Sequence, residues 1–254
     1  MKDELTKVDA VASVRTAALP DVADRAAWQA QLDELVVREK AHTREGDAIA
    51  AARRRLPMVE VDPAIPLTGE HGPVPLIDVF EGRRQLVAYF HMWHDGQPAE
   101  GQCEGCTFFT GQIGGLPYLH SRDLTYAVFG QGPYAESAAY HDFMGWDMPW
   151  YSARDSAEAL LAGRWFGMQV FYLQHEGRVF ETYWSTGRAA EAMAPAYGLL
   201  DMSVYGRQEV WEDSPAGWPQ SFRTDGDQFR SNGRPTAQWP RLAAGHSDDL
   251  RPSR

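Results

Sequence analysis

Two cysteines, Cys103 and Cys106, are the residues of this chain best suited to redox chemistry, and the sequence contains no others. Two residues separate them, a spacing that places their two Cα atoms about 5–6 Å apart at the start of a helix, the separation that a disulfide needs. An apolar run, Leu86 to Trp93, predicts a buried strand before them, and a helix is predicted to continue through Leu116 after them. Strand, loop, cysteine pair and helix together indicate a redox-active dithiol.

The start of a helix explains why two equivalent thiols should differ in reactivity. Backbone N–H groups are unpaired there and carry partial positive charge, which stabilises a thiolate and lowers its pKa. We therefore expect Cys103, at the helix start, to be the nucleophile. Cys106, one turn in, is expected to resolve the mixed disulfide.

Four neighbouring residues are candidates to assist this pair: Trp93, His94, Glu104 and Arg122. His94 and Arg122 lie at ends of predicted parallel strands, and Trp93 is a candidate to pack beneath the dithiol. His91 and His120 are also near the cysteines in sequence. Glu104 acts in the opposite sense, since a carboxylate facing the thiolate would raise its pKa.

Two other interpretations of the cysteines remain open at this point. His91 and His94 lie just upstream, and two histidines with two cysteines form a legitimate zinc site. Against this, His91 falls inside an apolar strand, where a packed core residue is expected. The remaining interpretation is a binding module with structural thiols, because a fold alone does not imply a function.

Length and charge restrict the class of protein. The 254 residues include 44% hydrophobic ones, enough for a sizeable core. The net charge of −11 argues against nucleic-acid and anionic-membrane partners. No apolar run reaches the roughly 20 residues of a membrane-spanning helix, and the first ten residues lack a signal-peptide pattern. We therefore expect a cytoplasmic protein. The expected thiol–disulfide exchange through Cys103 and Cys106 involves no bound cofactor.

The pattern of apolar residues predicts three regions: a helical extension over residues 1–57, an α/β domain over 58–202 and an irregular wrapping tail over 203–254. The extension is expected to contain two helices, separated at Gly46 and Asp47, and its apolar stripe is compatible with a homodimer. From Leu86 the predicted order is strand, dithiol helix, strand, helix, strand, helix, hairpin and helix. This alternation predicts a mixed sheet covered on both faces.

Several longer segments resemble those of a known family. The matching segments are Glu39–Val61, Leu86–Trp93, Cys103–Phe109, Ser121–Pro133, Met144–Ala153 and Tyr205–Gln220. Together they are similar to the bacterial thioredoxin-like proteins grouped as domain of unknown function 899 and described as predicted dithiol-disulfide oxidoreductases. The likeness extends over most of the chain from Trp28 to Gln220.

This resemblance implies a thioredoxin-like fold, with the dithiol as its site and thiols or disulfides of proteins or small molecules as its partners. Two departures from better-known relatives are visible. Gln102 stands before the first cysteine where thioredoxin has Trp, and the stretch from Phe166 to Val170 lacks the proline that thioredoxins place opposite the dithiol. A peroxiredoxin-like thiol peroxidase is the alternative activity, although Glu100 replaces the Thr expected three residues before the peroxidatic cysteine.

Overall fold

The computed structural model describes residues 18–251, which form two compact units. The first unit contains the described residues up to Pro57 together with Asp213–Pro219. The second contains Met58–Glu212 and the described residues from Gln220 onward. The part of the expected N-terminal extension formed by residues 1–17 lies outside the described residues.

The first unit is built on one long helix, α1 (Arg25–Arg53), which begins at a capping aspartate. The Asp24 carboxylate accepts hydrogen bonds from the N–H groups of Ala26 and Ala27, both at 2.9 Å. The expected break at Gly46 and Asp47 is wrong, because α1 is continuous through both. One glycine inside a helix costs only about 1 kcal/mol, and the alanine-rich turn that follows offsets it.

The second unit is organised around an eight-stranded mixed sheet in the described part of the chain, as predicted from the alternation of strands and helices. In chain order its strands are β1 (Val59–Val61), β2 (Pro66–Gly69), β3 (Gly72–Pro75), β4 (Gln85–His91), β5 (Leu124–Gly130), β6 (Trp150–Ser152), β7 (Met168–His175) and β8 (Arg178–Thr186). Their spatial order is β1-β8-β7-β4-β5-β6-β2-β3. β4, β5 and β6 are parallel neighbours, whereas β7 is antiparallel to β4 and forms a hairpin with β8.

Five helices connect or follow the strands from β4 onward: α2 (Glu104–Gly111), α3 (Leu116–His120), α4 (Tyr134–Met144), α5 (Ala157–Leu161) and α6 (Pro195–Asp201). The predicted extension of the dithiol helix to Leu116 is wrong, because α2 ends at Gly111 and a separate α3 begins at Leu116. Pro117 lies in the first turn of α3, where a missing N–H costs nothing. No helix among the described residues is long and apolar enough to cross a membrane.

Alternation along the central strand places core residues on both faces of the sheet. Leu86, Ala88 and Phe90 belong to the hydrophobic cluster on one face. Val87 and Tyr89 point to the other face, where they cluster with Cys106 of α2. The dithiol helix therefore covers one face of the sheet directly beside the central strand.

The residues after Ser203 form mostly irregular structure with four short elements: a 3-10 helix (Asp227–Phe229), β9 (Arg230–Ser231), β10 (Arg234–Pro235) and α7 (Trp239–Ala243). This tail contacts the loops around the dithiol and the end of α4. The Arg241 guanidinium donates a hydrogen bond to the Phe143 carbonyl at 2.6 Å, and the Ala99 N–H donates to the Asp248 carbonyl at 2.9 Å. The tail thus helps to fix the loop that precedes Cys103.

Candidate active site

Cys103 is the N-terminal cap of α2, at the carboxyl edge of the central strands. Its sulfur accepts a hydrogen bond from the Cys106 N–H at 3.4 Å, so the thiol performs the capping role usually taken by an oxygen. The side chain is half-buried, which leaves part of it accessible. Cys103 therefore combines access from solvent with donation from the start of a helix.

Cys106 lies one turn further along α2 and is buried, with 3% of its surface exposed. The Met92 N–H, at the end of β4, donates a hydrogen bond to the Cys106 sulfur at 3.4 Å. The Tyr89 side chain also hydrogen-bonds this sulfur. The inner thiol is thus held between its own helix and the central strand.

The two thiols have opposite electrostatic environments. The pKa of Cys103 is lowered to about 7, first by a hydrogen bond from the Cys106 thiol and further by the N–H groups of Cys106 and Gly105 and the charge of His94, against the opposing effect of burial. The pKa of Cys106 is raised well above its ordinary value, because its thiol is the donor in that bond and because it is buried. This difference is the one that a nucleophilic and a resolving thiol require.

His94 is the predicted helper that the structure brings to the dithiol. Its ring Nδ1 is 2.8 Å from the carbonyl oxygen of Gly101, and its charge helps to lower the pKa of Cys103. Its position follows from the loop after β4, which turns back toward the start of α2.

Arg122 and His120 lie at the other edge of the sheet. In the parallel register of β4 and β5, Gln85 pairs with Leu124 and His91 with Gly130. Arg122 precedes β5, so it is separated from the carboxyl edge by roughly 20 Å of strand. Its guanidinium lies 5.2 Å from the centre of the Tyr118 ring. The structure therefore places neither residue near the thiols.

Trp93 is a core residue on the side of α4. It packs edge-on against Tyr140 at 5.7 Å between ring centres, and its indole N–H donates to the Glu136 carboxylate at 3.4 Å. It belongs to the cluster that contains Ala99 and Phe143, whereas Cys106 belongs to another. The indole supports the loop around the site and does not form the floor beneath the dithiol.

Glu104, expected to oppose thiolate formation, is held by a cation from the tail. Its carboxylate forms a two-point ion pair with Arg230, in which Nε and Oε2 are 3.1 Å apart. Arg230 lies 126 residues further along the chain, so no local spacing indicated it.

Gln102 and Gln238 are positioning residues that the sequence did not reveal. The Gln102 side chain, 1% exposed, accepts from the His94 N–H at 3.0 Å and donates to the carbonyls of His94 and Gln97 at 3.0 and 2.9 Å. Its own carbonyl accepts from the buried Gln238 side chain at 3.2 Å. These bonds close the loop between β4 and α2 and set the position of Cys103. A lone glutamine carries no pattern that would have identified this role.

His91 is the buried core residue that its apolar strand predicted, with no exposed surface. Burial lowers its pKa to about 4, so the ring is neutral near pH 7. Its Nδ1 is 2.7 Å from the Met92 carbonyl oxygen. Among residues 18–251, no three His, Cys, Asp or Glu side chains come close enough together to hold a metal ion, so the zinc alternative has no such cluster.

Comparison with known proteins gives a family match. A family model described as bacterial protein of unknown function (DUF899) matches residues 17–225, which includes the cysteine pair and most of both units. No curated protein matches the chain.

Proposed function

Because the chain belongs to this bacterial family of unknown function, we propose from its own residues that it is a thiol–disulfide oxidoreductase that uses Cys103 and Cys106. The observation that carries the proposal is the asymmetry of the pair. The accessible thiol accepts N–H donation at a helix start and has a pKa lowered to about 7, while the buried thiol has a raised pKa. Both features are what exchange chemistry at neutral pH needs.

The proposed reaction follows from these positions. The Cys103 thiolate attacks a substrate disulfide, the substrate S–S bond breaks, and one substrate sulfur leaves as a thiolate that takes up a proton. Cys106 then loses its proton and attacks the Cys103 sulfur, which releases the second substrate thiolate. The protein loses two electrons and two protons to form the Cys103–Cys106 disulfide, and the substrate gains them.

The order of strands around the site supports a thioredoxin-like interpretation of the central part of the sheet. The strand before the dithiol, β4, has a parallel neighbour, β5, on one side and the antiparallel hairpin β7–β8 on the other. A helix that starts with the cysteine pair follows β4, and another helix follows the hairpin. Proteins or small molecules that carry thiols or disulfides are the partners that this proposal implies.

The experiment that tests the function is a measurement of the reduction potential of the pair. The protein is equilibrated in glutathione or dithiothreitol buffers, and its free thiols are trapped and counted. We expect a reversible two-electron transition between about −120 and −270 mV, the range of known dithiol oxidoreductases. Cys103→Ser and Cys106→Ser should each abolish it. Failure to form a disulfide in any buffer, with both thiols intact, would refute the proposal and favour a binding module.

A further inference from the structure

One short segment of the tail contacts the positions immediately around Cys103. We call this segment, Phe229–Gln238, the strap. Gln238 donates to the carbonyl of Gln102 just before the nucleophile, and Arg230 pairs with Glu104 just after it. Phe229 lies against Gly105 so closely that a Cβ on that glycine would be 3.0 Å from the phenyl ring.

The strap is held in shape by its own contacts. Arg230 pairs with Pro235, and Ser231 with Arg234, in the β9–β10 hairpin. Thr236 closes it, since its N–H and hydroxyl both donate to the Phe229 carbonyl, at 2.8 and 2.9 Å. The strap therefore presents Arg230 to α2 from an ordered turn.

The charge of Glu104 gives this contact chemical significance. Its side chain is adjacent to the nucleophile and only 15% exposed, so water screens its carboxylate incompletely. Alone, that negative charge would disfavour a thiolate at Cys103. The ion pair with Arg230 is neutral overall, and the guanidinium holds both carboxylate oxygens.

We propose that Arg230 is a positioning residue for the dithiol, which neutralises and holds the Glu104 carboxylate so that the Cys103 thiolate forms readily. The importance of this role for catalysis rests on the proposed oxidoreductase function. The titratable groups that shift the pKa of Cys103 most are Cys106 and His94, and the charge of Cys103 in turn acts on the buried phenols Tyr89 and Tyr140. Glu100 and Asp227 act on Arg230 itself.

The test is a double-mutant cycle on the full chain, in which the charges of Arg230 and Glu104 are removed. The rate of iodoacetamide alkylation of Cys103 is measured against pH, with the modified peptide quantified by mass spectrometry. Arg230→Ala should raise the apparent pKa by about 0.5 to 1 unit, because it leaves an unpaired carboxylate on the residue that follows Cys103. Adding Glu104→Gln to this variant removes that charge and should restore the wild-type value. Arg230→Lys should raise the pKa by less than Arg230→Ala.

The matched control is Arg234→Ala. It removes the same charge from the other strand of the hairpin, where the guanidinium lies 4.1 Å from the centre of the Trp239 ring, and should leave the pKa of Cys103 unchanged. An unchanged pKa in Arg230→Ala would overturn the inference. So would a raised pKa that Glu104→Gln does not restore, because loss of packing alone would give that result. If Arg230→Ala does not fold, Arg230→Gln, which removes the charge but keeps a polar side chain of similar length, takes its place: a raised pKa of Cys103 is expected, and an unchanged one refutes the inference.

This experiment is independent of the test of function, because alkylation requires no disulfide chemistry. If the cycle gives the expected values but the pair never oxidises, Arg230 sets the thiol pKa of a protein that is not an oxidoreductase. If the pair oxidises reversibly but Arg230→Ala does not change the pKa of Cys103, the proposed function is supported and the proposed role of Arg230 is refuted.

Discussion

At the scale of single residues, burial and donor geometry give identical side chains different chemistry. Cys103 and Cys106 are three positions apart, yet one caps a helix and the other lies against the central strand with 3% of its surface exposed. Burial also determines the chemistry of His91, next to Met92, but here it makes the side chain unreactive. Its burial lowers its pKa and keeps the ring neutral, so this histidine supports the strand and is not available for acid–base exchange.

His91 should make the folded state sensitive to acid. Its pKa is about 4 in the folded protein and near 6.5 when unfolded, so the unfolded chain binds the proton more tightly. Stability should therefore fall as the pH drops from about 6.5 to 4, by roughly 3 kcal/mol from this residue. Urea unfolding across this range should show a flatter dependence in His91→Asn. The exposed His71→Asn serves as control, and an equal slope in His91→Asn and wild type would contradict this assignment.

At the scale of elements, the loop that follows β5 and the indole of Trp93 pack closely together. A Cβ on Gly132 would lie 2.3 Å from the Trp93 ring, which is only 6% exposed and packs on Tyr140. Gly132→Ala should therefore destabilise the protein by about 1–3 kcal/mol, as overpacking does. Gly114→Ala, which meets nothing within 4 Å, should change stability by less than about 0.5 kcal/mol. Urea unfolding measures the stability of both variants. Equal free energies of unfolding would show that the loop moves aside to accept the added methyl group.

Elements with local boundary signals were predictable from sequence. The strand Leu124–Gly130 and the helix Tyr134–Met144 have the predicted bounds, and the helix ends at Gly145, whose φ of 68° suits glycine. Where two local signals competed, prediction failed. Gly46 indicated a break that the surrounding helix formers override, and the end of α2 was placed five residues late.

The cysteine pair was identifiable from spacing, whereas its supporting residues were not. Arg230 and Gln238 contact the two sequence neighbours of Cys103 from 126 and 136 residues away, and such long-range pairs leave no periodicity in a single sequence. Arg122 shows the converse, because nearness in sequence suggested a role that the parallel register excludes. Strand direction, more than distance along the chain, decided which polar residues meet.

At the scale of the whole molecule, the hydrophobic clusters lie entirely in the second unit. Their buried members run from Ile65 to Leu250, and each cluster packs within that unit. By contrast, α1 has no buried residue, and its large apolar side chains, such as Trp28 and Leu35, are about half exposed. The free energy of folding of the second unit should therefore come from its own core.

This division predicts that the chain from Met58 to Arg254 folds without the preceding residues. Because the deletion removes no member of the three clusters, its melting temperature should stay within about 3 °C of the full chain, a change of roughly 1 kcal/mol for a unit of this size. Calorimetry measures the transition, and alkylation of Cys103 should keep its pH dependence.

The contrasting deletion removes residues 237–254, a much shorter piece. It takes away the buried Leu250 and the fully buried Gln238, which holds the carbonyl of Gln102. We expect a clear fall in melting temperature and a raised pKa of Cys103, because the end of the strap is lost. If the long N-terminal deletion proves the more damaging of the two, the prediction that the second unit folds on its own core is wrong.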